Sequence, residues 1–103
     1  MKKVLLTDWK RFELINLLFL ITNRFKEKGE APKLPVAYKL KRLKEIIKFS
    51  EEELADFEGK PLTEVKEVME NISKEYEVPS FTMEELSSFY INDDEIDILE
   101  TLK

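Results

Sequence analysis

The segment TDWKRFELINLLFLITNRFKEK, residues 7–28, decides the fold because its apolar residues follow the spacing of a long α-helix. Thr7 or Asp8 can cap the free amide groups of its first turn, and Gly29 marks its end. The residues that carry the helical spacing are Trp9, Phe12, Ile15, Phe19 and Phe25. The sequence therefore predicts a first helix of about 20 residues, on which the remaining elements must pack.

Within that helix, one stretch is apolar without interruption. It consists of Leu17, Leu18, Phe19, Leu20 and Ile21. A helical segment that is apolar on every side is covered either by its own domain or by a partner. Because a chain of 103 residues has little material for full covering, we take these five residues as a candidate apolar interface.

A second helix is predicted from Leu34-Pro35 onward, since proline suits the first helical turn. Its apolar residues recur at alternating spacings of four and three, as in a heptad seam: Val36, Leu40, Leu43 and Ile47, then Leu54 and Phe57 after a polar break at Ser50. This seam favours antiparallel packing on the first helix, and an intermolecular coiled coil is the alternative. Ser50 and Glu53 have the spacing of a capping box, so either a new helix begins there or the second helix continues through a kink.

Glycine and proline residues divide the rest of the chain into separate elements. Gly59 is placed to end a helix in a left-handed conformation, and Pro61 prevents its restart. A third amphipathic helix is predicted from about Leu62 to Tyr76. An extended segment covers residues 77–81, because the residue before a proline avoids the helical region.

The C-terminal part is predicted to hold short elements. Thr82 and Glu85 form another capping box, and residues 89–91 are a β-prone run. Asn92 caps a final helix, Asp93 to Leu102, whose acidic start suits the helix dipole. The short strands can pair with a strand at residues 3–6. We therefore expect a single domain, 1–103, of the α+β class and mostly α: an antiparallel helix pair, a third amphipathic helix, a small β-sheet and a short C-terminal helix.

Charge is divided unevenly along the chain. Residues 1–49 carry 13 Lys or Arg against 5 Asp or Glu, whereas residues 50–103 carry 4 against 17, which together give the net charge of −5. Either the acidic half folds back and pairs with the basic half, or two opposed patches survive and one of them docks a partner. The candidate acidic interface consists of Glu51, Glu52, Asp56, Asp93, Asp94 and Asp97.

Residue types that usually carry catalysis are missing. The chain has no histidine and no cysteine, which removes the commonest general base, metal ligand and low-pKa nucleophile. The carboxylates from Asp93 to Asp97 lack the spaced ligands and glycine of a calcium loop. We therefore expect no enzyme, no catalytic residues, no cofactor and no metal.

Other locations and partners are also disfavoured. The apolar stretch Leu14 to Ile21 is shorter than the roughly 20 residues of a membrane span, and the N-terminus has no signal-peptide pattern, so we expect a cytoplasmic protein. The basic segment Lys33 to Lys48 could follow phosphates, but the acidic second half would repel them, which makes nucleic acid an unlikely partner. A protein partner, or a second copy of the chain, is expected.

Several segments together resemble small uncharacterised proteins of tailed bacteriophages. They are LPVAYKLKRL at 34–43, the acidic helix through residues 57–58, YEVP at 76–79, and INDD at 91–94 leading to Ile96 and Leu99. The resemblance implies a phage origin and no known catalytic activity, and it assigns no site. The expectation is an accessory protein that binds protein, either in the virion or its assembly or on a host factor. The alternative is an acidic inhibitor of a host defence nuclease, similar to an anti-CRISPR protein.

Overall fold

A computed structural model describes residues 1–100. Helices dominate it, and a two-stranded sheet joins the N-terminus to the middle of the chain. The elements in chain order are β1 (Lys2–Thr7), α1 (Asp8–Glu27), α2 (Leu34–Ile47), α3 (Glu51–Phe57), α4 (Leu62–Asn71), β2 (Ser73–Val78), α5 (Met83–Ser87) and α6 (Asp93–Leu99). The predicted α+β, mostly α fold is confirmed.

The sheet pairs β1 with β2 in antiparallel orientation, from Lys2 opposite Val78 to Thr7 opposite Ser73. Side chains alternate between the two faces of a strand. Val4 and Leu6 accordingly face the core, while Leu5 between them is exposed. The predicted strand at residues 3–6 is therefore confirmed, with one more residue at each end.

Helix α1 is the central element and packs against α2, α4, α6 and β1. It begins as predicted, because the Thr7 hydroxyl accepts a hydrogen bond of 3.0 Å from the Lys10 amide. Its buried apolar residues are Leu14, Leu17, Leu18, Ile21 and Phe25. Neighbours on several sides explain why part of this helix is apolar around most of its circumference.

Helix α2 packs antiparallel to α1. Arg11, near the start of α1, binds the carbonyl oxygen of Ile47 at the end of α2, and Lys44 lies over the ring of Phe19 further along α1. Val36, Leu43 and Ile47 of the heptad seam are buried and Leu40 packs against the same core. The part of the seam on α2 is thus covered within the chain, as an intramolecular helix pair requires. Leu54, which the pattern also placed on the seam, is exposed.

The question at Ser50 is resolved in favour of a new helix. Helix α2 ends at Ile47, and α3 begins after Ser50, whose hydroxyl accepts a bond of 3.1 Å from the Glu53 amide. The Glu53 carboxylate in turn accepts from the Ser50 amide at 3.1 Å, which completes the capping box. Gly59 then adopts the predicted left-handed conformation, with φ at +77°.

Two predictions in the second half are wrong. The third helix ends at Asn71, not Tyr76, because residues 73–78 form β2 and Tyr76 pairs with Val4 across the sheet. The β-prone run at residues 89–91 forms no strand, since Phe89 is instead buried against the rings of Phe25 and Phe81. In both places, contacts distant in sequence outweigh the local pattern.

The predicted caps of α5 and α6 are confirmed. Thr82 with Glu85, and Asn92 with Glu95, each form a complete capping box. Helix α6 is described as far as Leu99, and the predicted end at Leu102 lies outside the described residues. Leu99 is buried in the core, so this last helix belongs to the same single core as α1.

Arg11 forms the main buried polar cluster of the described chain. Its guanidinium donates to Asp8 at 2.9 Å, to Glu53 at 2.8 Å, and to the carbonyl oxygens of Ile47 at 3.1 Å and Lys48 at 2.8 Å. The hydrogen bond from Arg11 lowers the pKa of Glu53 to about 2, although partial burial of the carboxylate opposes the shift. The cluster therefore joins α1, the end of α2 and α3 through charge-assisted hydrogen bonds.

The two oppositely charged halves do pair with each other. Among the described residues, ion pairs that join a cation of residues 1–49 to a carboxylate of residues 50–103 are Lys3–Glu75, Arg11–Glu53, Arg24–Glu95 and Lys39–Glu85. The last three have N to O distances between 2.7 and 2.8 Å and are shielded from solvent to differing degrees. The acidic half thus folds back on the basic half, but several cations and carboxylates remain for other roles.

Candidate functional site

A groove runs between α1 and α2 and continues along the loop that joins them. Its volume is about 670 Å³, within the size range of ligand and peptide sites in proteins. We call it the α1–α2 groove. It is lined by Leu18, Phe19, Ile21, Thr22, Asn23, Phe25, Lys26, Glu30, Ala31, Pro32, Ala37, Leu40, Lys41 and Lys44.

The floor of the groove is apolar and belongs to the core. Ile21 and Phe25 contribute from α1, and Leu40 contributes from α2. Ala31 of the connecting loop and Ala37 of α2 also line the groove. Because alanines do not fill the space between two helices as leucines do, the pair leaves a concave surface at this point.

One large apolar side chain stands at the edge of the groove. Phe19 is 51% exposed, and the ammonium of Lys44 lies 4.4 Å from the centre of its ring. This is a cation–π contact, in which the lysine also covers part of the ring. An exposed phenylalanine beside an apolar floor is a typical anchor for a protein partner.

The rim of the groove is basic on both walls. Lys26 belongs to α1, and Lys41 and Lys44 belong to α2. All three are exposed, and none forms an ion pair within residues 1–100. The single carboxylate that lines the groove, Glu30, accepts a hydrogen bond from the hydroxyl of Tyr90.

The candidate apolar interface of residues 17–21 is divided by the structure. Leu17, Leu18 and Ile21 are core residues with exposures of 2%, 5% and 0%, so they cannot serve as an exposed belt. Phe19 and Leu20 are exposed. The physical reason for this correction is helix geometry, which turns successive residues by about 100° and places neighbours in sequence on different faces.

The six residues of the candidate acidic interface are exposed but form two groups. Glu51, Glu52 and Asp56 lie on α3, and Asp93, Asp94 and Asp97 lie on α6. Arg11 forms an ion pair with Glu53 of α3, and Arg24 forms one with Glu95 of α6. These two arginines are 13 positions apart on α1, which corresponds to about 20 Å along the helix axis. The acidic residues therefore do not form one continuous patch.

A second apolar surface was not predicted from the sequence. Met1, Leu34 and Tyr38 are 66%, 84% and 65% exposed, and they line a shallow depression together with Pro35 and Pro79. Leu34 and Tyr38 are one helical turn apart on α2, on a face outside the heptad seam. Their spacing of four residues could have predicted this surface. The heptad seam, however, was sufficient to predict α2 without Leu34 and Tyr38.

Neither metal-ligand groups nor a membrane-spanning helix are found in the described chain. Residues 1–100 contain no group of three or more acidic side chains arranged to hold a metal ion. None of their helices is long and apolar enough to cross a bilayer. Asp93, Asp94 and Glu95 form the acidic first turn of α6, where Glu95 completes the capping box of Asn92.

Comparison of the chain with protein-family models, with curated proteins and with solved structures finds no match. The candidate function therefore depends on the geometry and electrostatics of the α1–α2 groove and of the two acidic groups.

Proposed function

We propose that this chain is a small protein-binding module that holds a helical segment of a partner protein in the α1–α2 groove. The resemblance to tailed-phage proteins suggests an accessory role in the virion, in its assembly, or on a host factor in the cytoplasm. No catalytic step is part of the proposal. The observation that carries it is the apolar floor between α1 and α2, with the exposed ring of Phe19 at its edge.

Helix-in-groove binding accounts for this combination of features. A partner helix places its apolar side chains at positions i, i+3 or i+4, and i+7 in such a groove, while its polar face remains in water. Phe19 would lose its remaining exposure on docking. Because Phe19 is already about half buried, burying the rest of its ring stabilises a complex by about half of the roughly 1.5–3 kcal/mol of a full phenylalanine, which corresponds to a roughly 4- to 12-fold change in affinity.

The test is affinity purification of the tagged chain from phage-infected bacteria, followed by identification of the proteins that co-elute. The informative variant is Phe19→Ser, which removes the anchor from an exposed position and leaves the core intact. The matched control is Leu62→Ser, because Leu62 is 64% exposed on α4 and does not line the groove. Circular dichroism of both variants checks that the fold is kept.

The proposal expects a protein that co-elutes with wild type and with Leu62→Ser but is depleted about fourfold or more with Phe19→Ser. Recovery that is equal for both variants would show that the groove does not hold the partner. Failure to recover any protein, at low salt as well as moderate salt, would contradict the binding role itself.

A second candidate function is inhibition of a nucleic-acid-binding host protein, such as a defence nuclease, by an acidic surface. The observation that favours it is that none of the six residues of the candidate acidic interface forms an ion pair within residues 1–100. In that case the co-eluting protein would be lost on charge reversal of Asp93, Asp94 and Asp97 to lysine. It would also be lost as salt rises, and it would be retained by Phe19→Ser.

A further inference from the structure

We infer that the segment held in the α1–α2 groove is an acidic amphipathic helix, with one apolar ridge and carboxylates on both of its flanks. This inference rests on the proposed function, in that it takes the groove as the docking site and names the chemistry of its occupant. The charge complementarity between such a helix and the groove carries the argument.

The length of the groove sets the length of the segment. Its α1 wall extends from Leu18 to Lys26, eight positions, which span about 12 Å at 1.5 Å per residue. That distance corresponds to about two helical turns. The occupant therefore needs two or three apolar side chains on one face, at spacings of three and four, to reach the floor.

The sign of the charge follows from the rim. Lys26 stands on one wall, and Lys41 and Lys44 stand on the other, so a helix between the walls has cations on both sides. Elsewhere on the same two helices, Arg24 and Lys39 are already neutralised by Glu95 and Glu85. The rim lysines have no such partners within residues 1–100, so their charge is available to an incoming carboxylate.

The floor argues for a protein helix in preference to nucleic acid. A phosphate backbone would satisfy the rim lysines, but it would leave the exposed ring of Phe19 and the partly exposed Leu40 without apolar contacts. An amphipathic helix uses both features at once, since its apolar ridge meets the floor and its flanks meet the rim. The lysines lie at the surface, so they are expected to guide association and select the partner more than to supply most of the affinity.

The experiment uses three fluorescent synthetic peptides of about three helical turns that share one leucine ridge and differ only in their flanking residues, which are Glu, Gln or Lys. Binding to the full chain is followed by fluorescence polarisation at low and high salt. The variant is the triple charge reversal Lys26→Glu, Lys41→Glu and Lys44→Glu. The matched control reverses Lys48, Lys60 and Lys74, which are exposed and do not line the groove, and so makes the same change in net charge.

The expected result is that the Glu peptide binds about tenfold or more tightly than the Gln peptide at low salt, and that this advantage shrinks at high salt. The Lys peptide should not bind wild type. The rim reversal should exchange the preference between the Glu and Lys peptides, whereas the control reversal should keep the wild-type order.

Equal binding of the Glu and Gln peptides would overturn the inference. The proposed function would still hold in that case if capture of the partner protein depends on Phe19. Absence of binding by all three peptides would overturn the inference too. Analytical ultracentrifugation gives a further test. A salt-sensitive dimer that the rim reversal abolishes would also overturn the inference, because the occupant of the groove would then be a second copy of the chain. Binding of a labelled DNA duplex that is lost in the rim reversal but not in the control would assign the rim to phosphates and also overturn it.

Discussion

The guanidinium of Arg11 donates a hydrogen bond of 2.8 Å to the carboxylate of Glu53, a residue 42 positions later in the chain. The same guanidinium binds the carbonyl oxygens at the end of α2, so α1, α2 and α3 meet at one buried cation. The whole cluster is satisfied, because no buried side-chain nitrogen or oxygen in the described chain lacks a hydrogen-bond partner. Its geometry sets the relative position of the two helices that form the α1–α2 groove.

Arg11→Lys should lower the free energy of unfolding by about 1–3 kcal/mol, measured by urea denaturation, because some of the buried hydrogen bonds of the guanidinium would be lost. A single ammonium cannot replace the planar guanidinium in all its bonds, so Asp8, which is 3% exposed, would be left as a poorly compensated buried charge. The control is Arg42→Lys, because Arg42 is exposed and forms no ion pair in the described chain. It should change the stability by less than about 0.5 kcal/mol. Similar effects of the two substitutions would contradict the requirement for a planar guanidinium in this cluster.

Acid should destabilise the protein through Glu53. Its folded-state pKa of about 2 lies below the ordinary glutamate value of 4.5, so the ionised form stabilises the fold fully above pH 4.5. That stabilisation should be lost progressively as the pH falls towards 2. Glu85 and Glu95 should contribute in the same direction, because hydrogen bonds from Lys39 and Arg24 lower the pKa of each.

The measurement is the free energy of unfolding as a function of pH for wild type, Glu53→Gln and Glu52→Gln. Glu53→Gln should be less stable by about 1–3 kcal/mol at neutral pH, and its stability should decline less steeply in acid. Glu52→Gln should follow wild type, since Glu52 forms no ion pair in the described chain. An unchanged acid slope in Glu53→Gln would contradict the assignment.

Gly59→Ala should cost about 1–2 kcal/mol, measured as a shift in the thermal or urea midpoint. At φ of +77° an alanine side chain is strained by its own backbone. Outside Gly59 and its two chain neighbours, no heavy atom lies within 4 Å of the position that the Cβ would occupy, so packing does not add to the cost. Gly59→Asn is the control and should cost less, because asparagine tolerates the left-handed region. Equal costs for the two would point to a cause other than backbone strain.

Adjacent residues of α1 should respond very differently to the same change. Ile21→Ala removes a side chain with 0% exposure and should cost about 2–5 kcal/mol. Leu20→Ala alters a side chain that is 43% exposed and should cost less than about 1 kcal/mol. Urea denaturation of the two variants checks the comparison. A large loss of stability in Leu20→Ala would show that this face of α1 is covered in solution.

The candidate site itself was only partly predictable. The acidic residues and the apolar run were visible in the sequence, but their grouping was not. Whether Phe19 is exposed and Ile21 is buried depends on which face of α1 meets α2 and α6. The groove depends further on the small residues of the connecting loop and α2, which a pattern of large apolar residues does not reveal.

The sequence by itself determined most of the residues that start helices, although it left the choice at Ser50 open and placed the end of α4 too late. Thr7, Ser50, Thr82 and Asn92 each cap a helix through a bond to an amide three residues later, and Gly59 supplies a backbone conformation that other residues avoid. Such signals are readable because their partners lie within one helical turn. Tertiary structure alone decided that residues 73–76 continue as a strand, that Arg11 is buried, and that α1 and α2 leave a groove with a basic rim. In each case the partners come from distant parts of the chain, and their contacts outweigh local preferences worth only fractions of a kcal/mol.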